Sequence, residues 1–412
     1  MPATSGQLNW LRKQAHDWVA EGLVQPDQAA SILGRYQASR RFSLGRLLLG
    51  VGATFTGVGL IWLVAANLDE FSPLTRFAVV LVLWLAALVG AETLAARGGS
   101  PLVTEAVRLL AALGLGAVIF QAAQSLQVPA YEPKLVGLWG AGALVHAYVL
   151  RAYSPLLVGI AAVTTFSVWQ GLHWPDPTFT RAVLVLTLSA VVAVAVAALH
   201  DGRPHDAVAQ ARWRHAFAGP WRHVGAGLVL VGLFVAGFPV DEGWEITWTW
   251  WVVALAVLGA LAAAAALAVA RDLSRYEVLG SVAVLAIGLV LAAWSAGGDA
   301  NDVEVQDWAH AILGVVTYVV VAVGIAAIGT LRDSWLLTAM ATAGLVVFTT
   351  FQSFAVFAPI IQGAWLFVVL GLIFLATGIG FDRGRRRLAA ALDDEAPPDA
   401  AGPQQQTEGT QS

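Results

Sequence analysis

The chain has 412 residues, of which 58% are hydrophobic and 12% charged, with a net charge of −4 and a mean hydropathy of +0.71. Soluble domains are about 45–50% apolar and about 25% charged, so the composition excludes a soluble enzyme, a disordered chain and a secreted disulfide scaffold. The acidic balance excludes nucleic-acid binding as a main role, and the absence of cysteine excludes disulfides, zinc–thiolate sites and thiol nucleophiles.

In residues 1–43, Leu8, Leu11, Ala15, Trp18 and Val19 recur at helical spacing. Gly22 stands where a C-cap glycine belongs, Pro26 can open a second helix, and Ala29, Ile32, Leu33 and Tyr36 give that helix an apolar face. The pattern predicts a small cytoplasmic helical hairpin that packs on itself, on another copy or on the membrane. Arg35, Arg40, Arg41 and Arg46 lead from it into the bilayer and can meet anionic headgroups.

Twelve apolar segments follow, at 44–67, 74–96, 104–127, 134–150, 154–173, 180–199, 223–239, 247–270, 276–296, 308–330, 334–353 and 359–381. Each is long enough, or nearly so, to cross about 30 Å of hydrocarbon as a helix. The first run starts too late for a cleaved signal peptide and reads as a retained span. The weakest is 134–150, interrupted by Gly137, Gly140 and Gly142. A basic loop over 200–222 divides the spans into six at 44–199 and six at 223–381. The tail, 382–412, is poor in apolar residues and is expected to be disordered and cytoplasmic.

With the N-terminus inside, all of the 23 Lys and Arg except Arg76, Lys134 and Arg181 fall on inner segments. That asymmetry fits the positive-inside rule and predicts a multi-pass membrane protein with both termini cytoplasmic. The fold class is therefore all-α, a polytopic transmembrane bundle of about twelve spans. Ten remains possible, since dropping an adjacent pair leaves the orientation unchanged.

The hairpin with Trp18-Val-Ala-Glu-Gly-Leu-Val24 is followed by Gly50 to Leu60, then Ala65-Ala-Asn-Leu-Asp-Glu-Phe-Ser-Pro-Leu-Thr-Arg76. Further on stand Gly116-Ala-Val-Ile-Phe-Gln-Ala-Ala-Gln124, Leu138-Trp139 and Leu150-Arg151. Over about residues 8–170 this order resembles the bacterial multi-pass membrane family of domain of unknown function 2157. The resemblance implies topology and leaves the chemistry open. The sequence departs from the family pattern at Leu68 and at Ser125-Leu126, where aromatic residues are expected.

Polar side chains inside a bilayer face protein or water. Gln121 and Gln124 share a helix face, and Gln127 continues the stripe outward. With His146 they are candidates to line a polar pocket, and the competing reading is hydrogen bonding that locks helices together. Glu92, Glu105 and Arg108 gather at inner helix ends as an ion-pair cluster, with a coupling carboxylate as the sharper alternative. Trp244, Trp248, Trp250 and Trp251 form either an interfacial belt or an outer aromatic platform for a sugar or lipid headgroup. Asp307 and His310 are too few to claim a metal.

No P-loop, dinucleotide fingerprint, HExxH or GxSxG occurs, so no catalytic residue, cofactor or metal is assigned and an enzyme is not expected. Two roles compete. One is transporter- or flippase-like handling of a small or lipid-linked substrate. The other is a membrane scaffold or sensor whose hairpin, residues 1–43, docks a cytoplasmic partner or a second copy.

Overall fold

The computed structural model describes residues 2–3, 5–35, 37–38, 72–129, 132–173, 176–201, 208–238, 245–270, 272–294 and 305–357, with isolated positions between 48 and 59 and between 368 and 383. The predicted spans 44–67 and 359–381 lie almost entirely outside them. The fold is all-α. Nine helices among the described residues are long and apolar enough to cross a membrane. The chain divides into two compact units, 1–130 and 131–412.

In the first unit, α1 (Ser5–Ala20) and α2 (Pro26–Arg35) form the predicted hairpin. Gly22 adopts φ +73°, and the Leu23 amide returns to the Trp18 carbonyl at 2.9 Å, the left-handed stop that glycine accommodates. Ala15 and Ala29 are buried. A two-residue parallel pairing joins β1 (Pro2–Ala3) to β2 (Gln37–Ala38).

α3 (Pro73–Ala96) begins at Ser72, whose Oγ accepts the Thr75 amide, with Pro73 in the first turn. α4 (Pro101–Ser125) runs back against it after a stop at Gly98, φ +69°. At the far ends the Ser125 hydroxyl donates to the Pro73 carbonyl at 3.2 Å. Val79, Val82, Leu85 and Val89 remain exposed along α3, as suits a hydrocarbon-facing surface.

The second unit contains α5 (Pro133–Leu150), α6 (Tyr153–Leu172), α7 (Phe179–Asp201), α8 (Val208–Ala236), α9 (Trp250–Val269), α10 (Asp272–Ala293), α11 (Val305–Leu331) and α12 (Trp335–Phe357). Arg151, at φ +52°, turns α5 into α6. They pack closely at Gly140, where an added Cβ would stand 2.7 Å from the Val163 backbone nitrogen. α5 is not among the nine span-length apolar helices, which agrees with its glycine-rich sequence.

α7 is the hub. Its apolar window is 72% buried, the fraction expected of a helix hydrophobic all round, and α6, α8, α9 and α10 pack on it. A second core ties α8 to α11 and α12 through Leu230, Leu233 and Leu345, and Tyr318 stacks on Phe348 at 3.9 Å.

The structure differs from the sequence expectation over 200–222. Part of that predicted loop, from Val208, is the first half of α8. The charges suggested a loop, but Phe217, Ala218, Trp221 and Arg222 bury one helical stripe at i, i+1, i+4 and i+5.

Candidate functional site

Four charged side chains from four helices or their ends close into a ring in the second unit. Asp201 ends α7, Arg222 lies in the first half of α8, Glu277 in the second turn of α10, and Arg332 follows α11. Arg222 donates through Nη2 to Asp201 Oδ2 and through Nε to Glu277 Oε2 at 2.9 Å. Arg332 donates through Nε to Glu277 Oε1 at 2.7 Å and through Nη1 to Asp201 Oδ2 at 2.8 Å. Ser274 bridges the ring, accepting from Arg332 Nη2 at 2.7 Å and donating to Asp201 Oδ2 at 3.1 Å.

Each carboxylate therefore contacts two guanidiniums, and the four formal charges cancel. The Glu277 side chain is only 4% exposed and those of Asp201 and Arg222 10%. Charges so placed persist because each has a partner in good geometry.

Beside the ring lies a cavity of about 240 Å³. Its walls come from α7, α8, α10, α11 and α12, and apart from Arg222, Glu277 and Ser281 they are aliphatic or glycine. Gly280 and Val320, both exposed, line its edge, so it opens on the surface of the unit. Gly280 and Gly324 have open space where a side chain would stand. The site is an apolar slot with a neutral ion-pair assembly at one end.

The residues singled out in the sequence are distributed differently. Gln121, Gln124 and Gln127 belong to the first unit and His146 to the second. Gln121 is half-buried and Gln124 exposed, while Gln127 lies beyond the end of α4 at φ +56°. Its amide bonds the Gln124 carbonyl, so it terminates the helix and does not extend the stripe. His146 is half-buried on α5.

Glu92, Glu105 and Arg108 do come together. Arg108 grips Glu92 through Nε and Nη2, both at 2.8 Å, and reaches Glu105 at 3.0 Å. Arg108→Ala is expected to destabilise the first unit by about 2 kcal/mol, the weight of hydrogen bonds to charged groups. Arg108→Lys recovers only part of that, because lysine lacks the fork. Thermal unfolding of the two variants in mild detergent checks both.

Of the aromatic set, Trp244 lies outside the described residues. Trp248 and Trp250 are exposed, whereas Trp251 turns inward, packs on Phe166 at 4.7 Å and donates to the Ser167 carbonyl at 3.0 Å. Trp251 thus anchors α9 to α6 and does not share a face with Trp248. His310 is buried and its Nε2 meets the Leu291 carbonyl at 3.1 Å.

Of the motifs quoted from the sequence, those among the described residues fall in the first unit and in and just after α5, and Ala65 to Phe71 lies outside the described residues. Residues 16–156 match the family model described as "Predicted membrane protein (DUF2157)". No curated protein and no solved structure matches the chain. The DUF2157 segment includes Glu92, Glu105, Arg108, the three glutamines and His146. The ring and its cavity fall beyond it, between Val194 and Leu337.

The ring left a partial trace in the sequence. Arg222 and Arg332 fall on the same predicted side of the membrane, and Glu277 stands within a predicted span. Asp201 has no motif around it, and its pairing with Arg332 crosses 131 residues.

Proposed function

We propose that this multi-pass membrane protein is a transporter- or flippase-like carrier of an amphipathic, lipid-like substrate, and not an enzyme. We place it in a bacterial inner membrane with both termini in the cytoplasm. The observation that carries the proposal is the slot in the second unit. It is apolar along its walls, open at the surface between helices of span length, and closed at one end by the ring of Asp201, Arg222, Glu277 and Arg332.

A bilayer supplies such a slot with acyl chains by lateral diffusion, and the polar end suits a headgroup. The ring supports a gating role, because two arginines hold four helices through side chains alone, an arrangement that can open without unfolding any helix.

The test is translocation of fluorescent phospholipid in proteoliposomes, read by chemical quenching of the outer leaflet. We expect bleaching to continue past the half accessible at the start, faster than in protein-free vesicles, and to survive deletion of residues 1–43. A rate equal to that of protein-free vesicles overturns the carrier. Pull-down of a cytoplasmic protein that requires residues 1–43, with no translocation, favours the scaffold.

A further inference from the structure

We infer that the slot in the second unit takes one acyl chain of a phospholipid whose headgroup is zwitterionic, phosphate plus ammonium, seated against the Arg222–Glu277 edge of the ring. The inference rests on the proposed substrate class, and it names the headgroup.

The lining argues for a segment of an acyl chain and not a compact polar ligand. Small-molecule sites enclose about 300–1,000 Å³, and this cavity is about 240 Å³ with aliphatic walls. Val194, Val229, Val284 and Ile325 offer no directional contact beyond dispersion. Gly280 on α10 and Gly324 on α11 line the cavity and leave open space where side chains would stand.

The charge argues for the headgroup. The two ionised groups that line the cavity are Arg222 and Glu277, of opposite sign and 2.9 Å apart. The ring occupies Nε and Nη2 of Arg222, and a guanidinium carries five N–H donors, so N–H groups remain for a phosphate oxygen. Each Glu277 oxygen accepts one arginine bond and retains a lone pair for an ammonium N–H.

A headgroup bearing both charges adds a second antiparallel pair beside the first and leaves the neutral ring intact. A purely anionic headgroup also meets Arg222, but it brings an unbalanced negative charge next to Glu277 and Asp201. In a low-dielectric surrounding that repulsion is strong.

The experiment uses the full chain in vesicles containing phosphatidylethanolamine or phosphatidylglycerol with the same photoactivatable acyl chain. Cross-links are mapped by peptide mass spectrometry. We expect labelling on the slot faces of α10 and α11, with phosphatidylethanolamine favoured about tenfold, the weight of one charge-assisted hydrogen bond.

Gly324→Leu, which projects into open space, should abolish slot labelling while the protein remains folded. Glu277→Gln should erase or reverse the headgroup preference. If that variant does not fold, competition between the two lipids on the wild-type protein decides alone. Absence of slot labelling, or labelling unchanged by Gly324→Leu, overturns the site. Slot labelling with equal or greater yield from phosphatidylglycerol overturns the headgroup. Cross-linking reads occupancy and not movement, so it separates failure of this site from failure of translocation.

Discussion

Replacing Arg222 by alanine is expected to lower the stability of the second unit by about 3–5 kcal/mol, the range for breaking a buried ion pair by removing one partner. Arg222 holds both carboxylates of the ring. Without it Asp201 and Glu277 each lose one guanidinium and keep the contact to Arg332, and a buried site loses one positive charge from between two carboxylates. Thermal unfolding in mild detergent should show a drop in midpoint of roughly 10 °C.

The effect should be strongly non-additive. Replacing Asp201, Arg222, Glu277 and Arg332 together by apolar residues of similar volume should cost less than Arg222→Ala alone, because no charge is then stranded. A quadruple variant less stable than the single one would show that the ring contributes net binding energy between the helices beyond its own desolvation.

Gly140→Leu should be nearly as damaging, by another mechanism. The new side chain meets the Val163 backbone nitrogen at 2.7 Å and the Ala162 carbonyl carbon at 3.1 Å, and backbone atoms in a helix cannot rotate away. α5 and α6 must separate, at a cost of about 3 kcal/mol, the upper end for overpacking. Gly324→Leu is the matched control, since nothing stands within 4 Å of its added Cβ. Unfolding midpoints of the two leucine variants should therefore differ by several degrees. Equal midpoints would show that the α5–α6 contact is not a close one.

These variants mark what could be read from the sequence. Hydropathy located the helices because burial of apolar length and backbone satisfaction in lipid are one-dimensional requirements. Local stops were also legible. Gly22 ends α1, Pro26 opens α2, and Pro73, Pro101 and Pro133 each stand in the first turn of a helix.

The error over 208–222 arose from weighing charge above periodicity, although Phe217, Ala218, Trp221 and Arg222 carry a helical stripe. Arg108 was legible with Glu105 because they are three residues apart on one helix, and with Glu92 because a short turn joins the two helices. The ring was not, because its partners are brought together by packing around α7. Spacing along the chain carries no record of that. Nothing local joins Gln121 to His146 either, which belong to different units.

The ring has a consequence for how the protein is made. Asp201 enters the membrane 131 residues before Arg332. Glu277 follows, 55 residues before Arg332, so at about 5–20 residues per second synthesis leaves about 3–11 seconds in which both carboxylates are present without Arg332. Carboxylates short of a partner are costly away from water, so the acidic ends of α7 and α10 are expected to stay near the interface during that interval. Emergence of Arg332 ends the wait. Completion of the ring therefore waits on delivery of α11, the helix that Arg332 follows.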